Sequence, residues 1–244
     1  EPRVPITMAA APASSAWSLT APAGRPALPA PAGAIARHAG GIVAAHYERG
    51  VVVDHKGDEG NLVTDADRAS EAYIVGALRE RFPAHGIVAE EGGGTDGGAV
   101  TWIVDPLDGT NNFAHGFPVF AVTLAAMAGG EVLAGATYDP LRDELYSAHL
   151  GGGATLNGRP LCVSTVARLS AALVGTGFAY DKATTVDNNL AEVVTLVPLV
   201  RGLRRAGACA LDLAWVAAGR PFTSTRFEPS PSTRSSPSAR RKTA

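Results

Sequence analysis

Residues 102–112 read WIVDPLDGTNN, an apolar strand that ends in two carboxylates three residues apart. Asp side chains are costly to bury unpaired, so Asp105 and Asp108 predict a cation or a ligand beside this strand end. Pro106 stiffens the turn between them, and Gly109 allows the backbone to approach a ligand closely. Carboxylate oxygens suit Mg²⁺, which combines them with water and substrate phosphate. The stretch therefore predicts a strand followed by a metal-binding turn.

The residues after this turn predict a phosphate site beside the metal. Thr110 and Asn111 could begin a helix, whose first N–H groups have no intrahelical acceptor and bind anions. A metal next to bound phosphate is suited to phosphoryl hydrolysis. Taken alone, the same pattern also fits a surface turn in which the aspartates cap nearby N–H groups.

Two further acidic clusters stand at the ends of predicted elements. Glu90 and Glu91 follow the apolar run 87–89, while Asp65 and Asp67 stand at the start of a predicted helix. Singly, these acids fit solvated strand ends or helix N-caps. Three acidic clusters that each begin or end an element together favour one shared site.

Periodicity predicts helices and strands without a regular βαβ rhythm, which favours an α+β fold with a layered mixed sheet. The predicted helices are 65–82, 186–200 (interrupted by Pro198) and 208–218, and the predicted strands are 86–89, 101–104, 119–126, 132–138 and 145–148.

Composition divides the chain into a folded body and two ends. Residues 1–34 hold 11 Ala and 7 Pro, which predicts a flexible leader. Residues 220–244 hold six Ser, four Thr, four Pro and six basic residues, which predicts a disordered tail. The predicted domain is 35–219.

The overall composition excludes several classes of protein. The 244 residues are 46% hydrophobic and 18% charged with a net charge of −2, which excludes a wholly disordered chain. Near neutrality gives no general attraction to nucleic acid or anionic membranes, and the longest apolar run, 119–128, is too short to span a bilayer. Two cysteines cannot form a disulfide framework, so we expect a cytoplasmic protein.

These motifs resemble those of the inositol monophosphatase family, which belongs to the metal-dependent, lithium-sensitive phosphatases. The similarity runs from about residue 35 to 219, and the run Trp-x-x-Asp-Pro-x-Asp-Gly-Thr is highly specific to that superfamily. The matching segments are 56–58 (KGD), 62–67 (LVTDAD), 89–92 (AEEG), 102–118, 152–158 (GGATLNG) and 206–219. The resemblance implies a layered α/β/α/β sandwich.

The resemblance also implies a Mg²⁺-dependent phosphomonoesterase that acts on inositol monophosphate or a similar polyol phosphate. Glu90, Asp105, the backbone carbonyl of Leu107 and Asp108 match the metal ligands of the family. The resemblance also implies a catalytic role for Glu90.

Other matching positions concern water and substrate. Asp67 and Thr110 match the pair that orients the attacking water, with Lys56 and Thr64 nearby. The positions that match substrate-binding residues are Asp108, Gly109, Thr110, Asn111, Gly207 and Ala208. Family members usually form homodimers, so the resemblance implies one here. The near-neutral charge and the short apolar runs predict no nucleic-acid or membrane partner.

The sequence departs from the family pattern after residue 220. The family continues with a strand carrying a glutamate and then Trp-Asp-x-Ala-Ala-Gly, whose aspartate completes the second metal site. Here Pro221 begins the Ser/Pro/Arg-rich segment. We expect an incomplete C-terminal subdomain, weakened Mg²⁺ binding, and a truncated or out-of-frame reading of the gene.

Several alternatives follow from the residues. The departure leaves open a catalytically silent binding protein or a non-functional product. Within the enzyme class, fructose-bisphosphatase, histidinol-phosphatase and 3′-nucleotide phosphatase share the same chemistry. A haloacid-dehalogenase-type phosphatase is disfavoured because its paired aspartates are two apart, whereas Asp105 and Asp108 are three apart.

Overall fold

The protein is described by a computed structural model. It describes residues 28–50, 53–55, 62–92, 94, 97–178, 183–185, 188–220 and 222–224. The helices are α1 (Pro29–Arg49), α2 (Asp65–Arg81), α3 (Thr110–Ala114), α4 (Leu190–Leu196) and α5 (Cys209–Ala217), with a 3₁₀ turn at Leu169–Ala171. The strands are β1 (Val53–His55), β2 (Leu62–Thr64), β3 (Gly86–Ala89), β4 (Thr101–Asp108), β5 (Ala121–Ala128), β6 (Glu131–Asp139), β7 (Glu144–His149), β8 (Gly153–Leu156), β9 (Arg159–Pro160), β10 (Leu173–Gly175), β11 (Gly202–Arg204) and β12 (Phe222–Ser224).

The strands form three sheets. The largest has seven strands in the order β3-β4-β5-β6-β7-β8-β9, in which β3 and β4 are parallel and every later pair is antiparallel. Strands β1 and β2 form an antiparallel pair, and β10 lies between β11 and β12 in a parallel three-stranded sheet. The parallel β3–β4 pair aligns the carboxyl ends of two strands, so the acidic clusters at these two strand ends lie at the same sheet edge.

Side-chain alternation along β5 separates two apolar clusters. Val122 and Leu124 point into the larger cluster, where α1 and α2 cover one face of the seven-stranded sheet. Ala121 points the opposite way, into a smaller cluster with Leu211 and Trp215 of α5. Successive residues of a strand face opposite sides, so β5 contributes to both clusters. Helix α5 also contacts β12, so the layers run α1/α2, seven-stranded sheet, α5 and three-stranded sheet, which confirms the expected α+β layered architecture.

Helix α1 begins inside the segment predicted to be a flexible leader. It starts at Pro29, with Leu28 at the N-cap, so the predicted boundary at residue 34 is wrong. Proline is tolerated in the first turn because the N–H groups there have no intrahelical acceptor, and both Pro29 and Pro31 lie in that turn. The alanines that follow favour the helix, and Ala32, Ile35 and Ala36 are buried. Residues 1–27 lie outside the described residues.

Three other boundaries differ from prediction. Strand β4 continues through Asp105 to Asp108 and does not end before Asp105. Helix α4 is shorter than predicted and ends two residues before Pro198, because proline has no N–H with which to continue the intrahelical hydrogen bonds. Strand β12 (Phe222–Ser224) lies in the segment predicted to be a disordered tail, and its parallel pairing with β10 supplies backbone hydrogen bonds that the local composition does not suggest. Residues 225–244 lie outside the described residues.

No helix in the described ranges is long and apolar enough to cross a bilayer.

Candidate active site

A β-bulge presents the two aspartates of the opening motif. Strand β4 pairs Asp105 with Thr123 and Asp108 with Ala121, so β4 uses one more residue than β5 between these pairs. Proline has no N–H to donate to a ladder and is tolerated at such irregular positions. The backbone N–H of Leu107 donates to Oδ1 of Asp105 at 3.1 Å, which fixes that carboxylate. The predicted turn is thus a bulge within a strand, and it still brings the two carboxylates to one end of β4.

The carboxylate of Asp108 joins the large sheet to α5. Its Oδ1 accepts the N–H of Cys209 at 3.1 Å, and its Oδ2 accepts the N–H of Ala210 at 2.7 Å. These are the first two residues of α5, whose N-terminal N–H groups have no intrahelical acceptor. Asp108 therefore caps a helix that lies 101 residues further along the chain.

The acids at this strand end are close enough for the charge of one to raise the pKa of another. Burial raises the pKa of Asp105 well above its usual range, and the charges of Asp108 and Glu90 raise it further. Burial also raises the pKa of Asp108 to about 7, against the two N–H groups of α5 that lower it, with Asp212 and Glu90 adding repulsion. Glu90 follows β3 directly, and the pairing of Ala89 with Val104 sets it beside Asp105. A divalent cation here would offset both the desolvation cost of these carboxylates and the repulsion between them.

Helix α2 brings the third acidic cluster to the same place. The hydroxyl of Thr64 caps the helix, and Asp67 completes a capping box by accepting the N–H of Thr64 at 2.8 Å. The other carboxylate oxygen of Asp67 lies 3.2 Å from the hydroxyl of Thr110, which also lies 3.0 Å from the carbonyl oxygen of Leu107. The predicted pair of Asp67 and Thr110 is therefore in hydrogen-bond contact, next to the bulge. Burial raises the pKa of Asp67, although the bonds from Thr64 oppose this shift.

Close packing also brings the predicted substrate-binding positions together. Gly109 has φ 95°, and a Cβ there would lie 2.9 Å from the carbonyl oxygen of Val119 and 3.2 Å from Cβ of Ala208. Gly207 has φ 86°, and a Cβ there would lie 2.9 Å from the side-chain amide of Asn112. Both positions therefore require glycine.

The side chain of Asn112 links the segment around Val119 to the segment around Ala206 by hydrogen bonds. Its amide nitrogen donates to the carbonyl oxygens of Val119 at 2.7 Å and Ala206 at 2.8 Å. Gly207 and Ala208 are thereby held against the start of α3, on the side where Asp108 caps α5. Asn111 is half-buried and its carbonyl accepts the backbone N–H of His115. Lys56 lies outside the described residues.

The acidic side chains lie close together, but the described residues do not form a complete set of metal ligands. Among the described residues, no group of three or more His, Cys, Asp or Glu side chains is already arranged to hold a metal ion. Both oxygens of Asp108 are directed at α5, and Glu90 is exposed. Mg²⁺ usually binds through one or two carboxylates and completes its octahedron with waters and substrate phosphate, so this donor set fits that ion.

Sequence reasoning missed two buried polar residues of α2. The hydroxyl of Ser70 donates to the carbonyl of Pro106 at 2.8 Å, and the carboxylate of Glu71 accepts the N–H of Glu91 at 2.7 Å. The available signal was their spacing, three and four residues after Asp67, which places all three on one helix face.

It also missed Asp212, on the first turns of α5. This side chain is 1% exposed, and its Oδ1 has no hydrogen-bond partner among the described residues. Burial raises its pKa to about 6, and the guanidinium of Arg205 opposes the shift. An acid whose folded-state pKa lies above its unfolded value loses stability as the pH rises through the interval between them, here from about 4 to about 6.

We expect Asp212→Asn to stabilise the protein near pH 7.5 and to leave it almost unchanged near pH 4. Two pKa units correspond to at most about 3 kcal/mol of unfolding free energy, which is the upper limit for the gain. Urea unfolding at both pH values measures it. Glu80→Gln, an exposed acid of α2, is the control and should change the unfolding free energy by less than about 0.5 kcal/mol. An equal gain at both pH values would contradict ionisation as the cause.

The fold and this constellation define a layered α+β domain with acidic side chains gathered at one sheet edge, and comparison with known proteins identifies the family. The family model described as the inositol monophosphatase family matches residues 28–229. The chain belongs to the inositol monophosphatase family.

Individual relatives agree with this assignment. The chain is 46% identical over 170 residues to an inositol-1-monophosphatase of Synechocystis, covering 69% of this chain and 59% of that protein. It is 45% identical over 192 residues to the Nus factor SuhB of Pseudomonas aeruginosa, covering 76% and 71% of the two chains. The chain thus spans about three fifths of the first relative and about seven tenths of the second.

Solved structures show the same fold. An inositol monophosphatase from Anabaena superposes with a TM-score of 0.72 at 40% identity, covering 83% of this chain and 76% of that chain. An IMPase/NADP phosphatase complexed with Mg²⁺ and phosphate superposes with a TM-score of 0.61 at 25% identity, covering 75% and 69%.

Proposed function

We propose that this chain is a Mg²⁺-dependent phosphomonoesterase that hydrolyses inositol monophosphate or a similar polyol phosphate. The observation that carries the proposal is the pair of carboxylates, Asp105 and Asp108, that the β4 bulge brings to one end of that strand. Membership of the inositol monophosphatase family supports the reaction class. The related structure complexed with Mg²⁺ and phosphate supports the choice of ion.

In this proposal Glu90, Asp105, Asp108 and the carbonyl of Leu107 hold the metal. When bound, Mg²⁺ supplies charge neutralisation for the phosphate and a lowered pKa for water. Asp105 is already oriented by the N–H of Leu107, so little side-chain freedom is lost on binding.

The remaining site residues would act on water and substrate. The Thr110 hydroxyl can donate its proton to Asp67, which leaves its oxygen lone pairs to accept a hydrogen bond from the attacking water. The N–H groups of Gly109 and Thr110, with Asn111, would bind phosphate oxygens, while Gly207 and Ala208 line the approach of the alcohol. Glu90 contributes charge beside Asp105.

Phosphate release by the 244-residue chain tests the proposal. Inositol 1-phosphate is compared with fructose 1,6-bisphosphate, histidinol phosphate and a 3′-phosphonucleotide, each with Mg²⁺ and with EDTA, and circular dichroism verifies folding. We expect Mg²⁺-dependent turnover, fastest with inositol 1-phosphate. A folded chain that binds Mg²⁺ without turnover of any substrate would favour the catalytically silent alternative, and preference for another substrate would reassign the specificity.

The homodimer, the cytoplasmic location and the absence of a nucleic-acid partner stay predictions. Because some relatives are named Nus factors, binding of nucleic acid to this chain is a useful additional measurement.

A further inference from the structure

Three polar residues share the buried face of α2. Asp67, Ser70 and Glu71 stand at positions i, i+3 and i+4 and are 3%, 0% and 6% exposed. Around them the helix buries apolar side chains, among them Ala66 and Ile74. A hydroxyl or carboxylate is costly in such surroundings unless it makes hydrogen bonds, whereas apolar residues would simply pack. Each of the three polar groups reaches a different segment of the candidate site.

Ser70 holds the peptide unit at the centre of the bulge. Its hydroxyl donates to the carbonyl oxygen of Pro106 at 2.8 Å. That carbonyl belongs to the peptide unit joining Pro106 to Leu107, and the N–H of the same unit donates to Asp105 at 3.1 Å. One planar group is therefore held on one side by α2 and holds the Asp105 carboxylate on the other. The next carbonyl along the chain is that of Leu107, which lies 3.0 Å from the hydroxyl of Thr110.

Glu71 acts in the same way on the segment after β3. Its carboxylate accepts the N–H of Glu91 at 2.7 Å. This N–H belongs to the peptide unit joining Glu90 to Glu91, so the bond fixes the backbone from which the Glu90 side chain projects. A buried, charged acceptor makes a stronger bond than a neutral one.

We propose that Ser70 and Glu71 are positioning residues through which α2 holds the Asp105–Leu107 bulge and the Glu90 segment in the geometry that binds Mg²⁺. This inference deepens the proposed function and rests on it. Neither side chain needs to touch the metal, because each acts through a peptide unit next to a ligand. Groups that orient metal ligands from outside typically contribute tenfold or more to metal affinity.

Titration of the full 244-residue chain with MgCl₂ by calorimetry, without substrate, tests the proposal. We expect Ser70→Ala and Glu71→Met to weaken Mg²⁺ binding by about tenfold each. Glu71→Gln retains an oxygen acceptor and should stay within about threefold of the original affinity. Amide hydrogen exchange gives a second readout: the Glu91 N–H should exchange faster in Glu71→Met and should remain protected in Glu71→Gln.

Val75→Ala is the matched control. Val75 lies on the same helix and is 5% exposed, but its apolar side chain takes no part in the hydrogen bonds that Ser70 and Glu71 make. It should lower the urea midpoint without changing Mg²⁺ affinity. If the original chain does not bind Mg²⁺, the proposed function fails. If it binds and both Ser70→Ala and Glu71→Met bind equally well, or if Val75→Ala weakens binding as much, the positioning role is overturned. Should Glu71→Met not fold, Ser70→Ala and the Glu91 exchange rate in Glu71→Gln decide.

Discussion

Asp105→Asn is expected to reduce Mg²⁺-dependent phosphate release by at least about a thousandfold. The stabilisation that a metal gives to transition-state charge is several kcal/mol, and each 1.36 kcal/mol is a factor of ten in rate. Asparagine keeps the oxygen that accepts the Leu107 N–H, so the bulge should survive. Only the negative charge and its affinity for a hard cation are lost.

The stability of the metal-free protein should change in the opposite direction. Burial and the charges of Asp108 and Glu90 raise the pKa of Asp105, so the fold loses stability as the pH rises from the unfolded-state pKa of this acid to its folded-state pKa, and the full loss persists at higher pH. The neutral amide removes that destabilisation, and we expect a higher midpoint of thermal unfolding for Asp105→Asn in EDTA at high pH. Mg²⁺ should stabilise the original chain by about 2.7 kcal/mol at a hundred times its Kd and should not stabilise the variant.

Asp139→Asn provides the contrasting control. Asp139 is fully buried in the same sheet, where its carboxylate accepts two backbone N–H groups and the guanidinium of Arg142. Removing that charge should lower the unfolding midpoint and leave Mg²⁺ binding unchanged. If Asp105→Asn behaves like Asp139→Asn, with lower stability and retained metal response, Asp105 is a structural residue.

The local part of this site was predictable because neighbouring residues in sequence carry it. The helix predicted at 65–82 is confirmed as α2, and the strand predicted at 86–89 is confirmed as β3. Glu90, which follows β3, flanks the carboxyl end of β4 because parallel pairing aligns Ala89 with Val104. The sequence predicted a shared acidic site but not this pairing. Asp67 and Thr110, which the family resemblance pairs, lie in hydrogen-bond contact, and their role stays a prediction.

The remainder depends on contacts between distant segments. Asp108 caps α5 across 101 residues of chain, and nothing near Cys209 in the sequence indicates an incoming carboxylate. The bulge was predicted as a turn because Asp-Pro-x-Asp-Gly is typical of turns, and only pairing with β5 makes it part of a strand. Ser70 and Glu71 look like ordinary helix residues until tertiary packing buries them.

Thr110→Ala and Asp67→Asn are each expected to reduce turnover by about a hundredfold or more, which is the usual contribution of a positioned proton acceptor. The reason is the single chain of hydrogen bonds from Asp67 through the Thr110 hydroxyl to the site of the attacking water. Residues that act as one unit show non-additive losses, so the double variant should be little worse than either single one. Thr110→Ser keeps the hydroxyl and should stay within about tenfold of the original rate.

Stability distinguishes this role from a structural one. Burial raises the pKa of Asp67, so its ionised form is not favoured by the fold at neutral pH, and asparagine still offers an oxygen to the Thr64 N–H. We therefore expect Asp67→Asn to change the unfolding free energy by less than about 1 kcal/mol, the usual size of a capping effect. Steady-state kinetics and urea unfolding on the four variants give the answer together: losses in kcat without matching losses in stability assign the pair to the reaction. Additive losses that track the unfolding free energy would mean that Thr110 and Asp67 only hold α2 against the bulge.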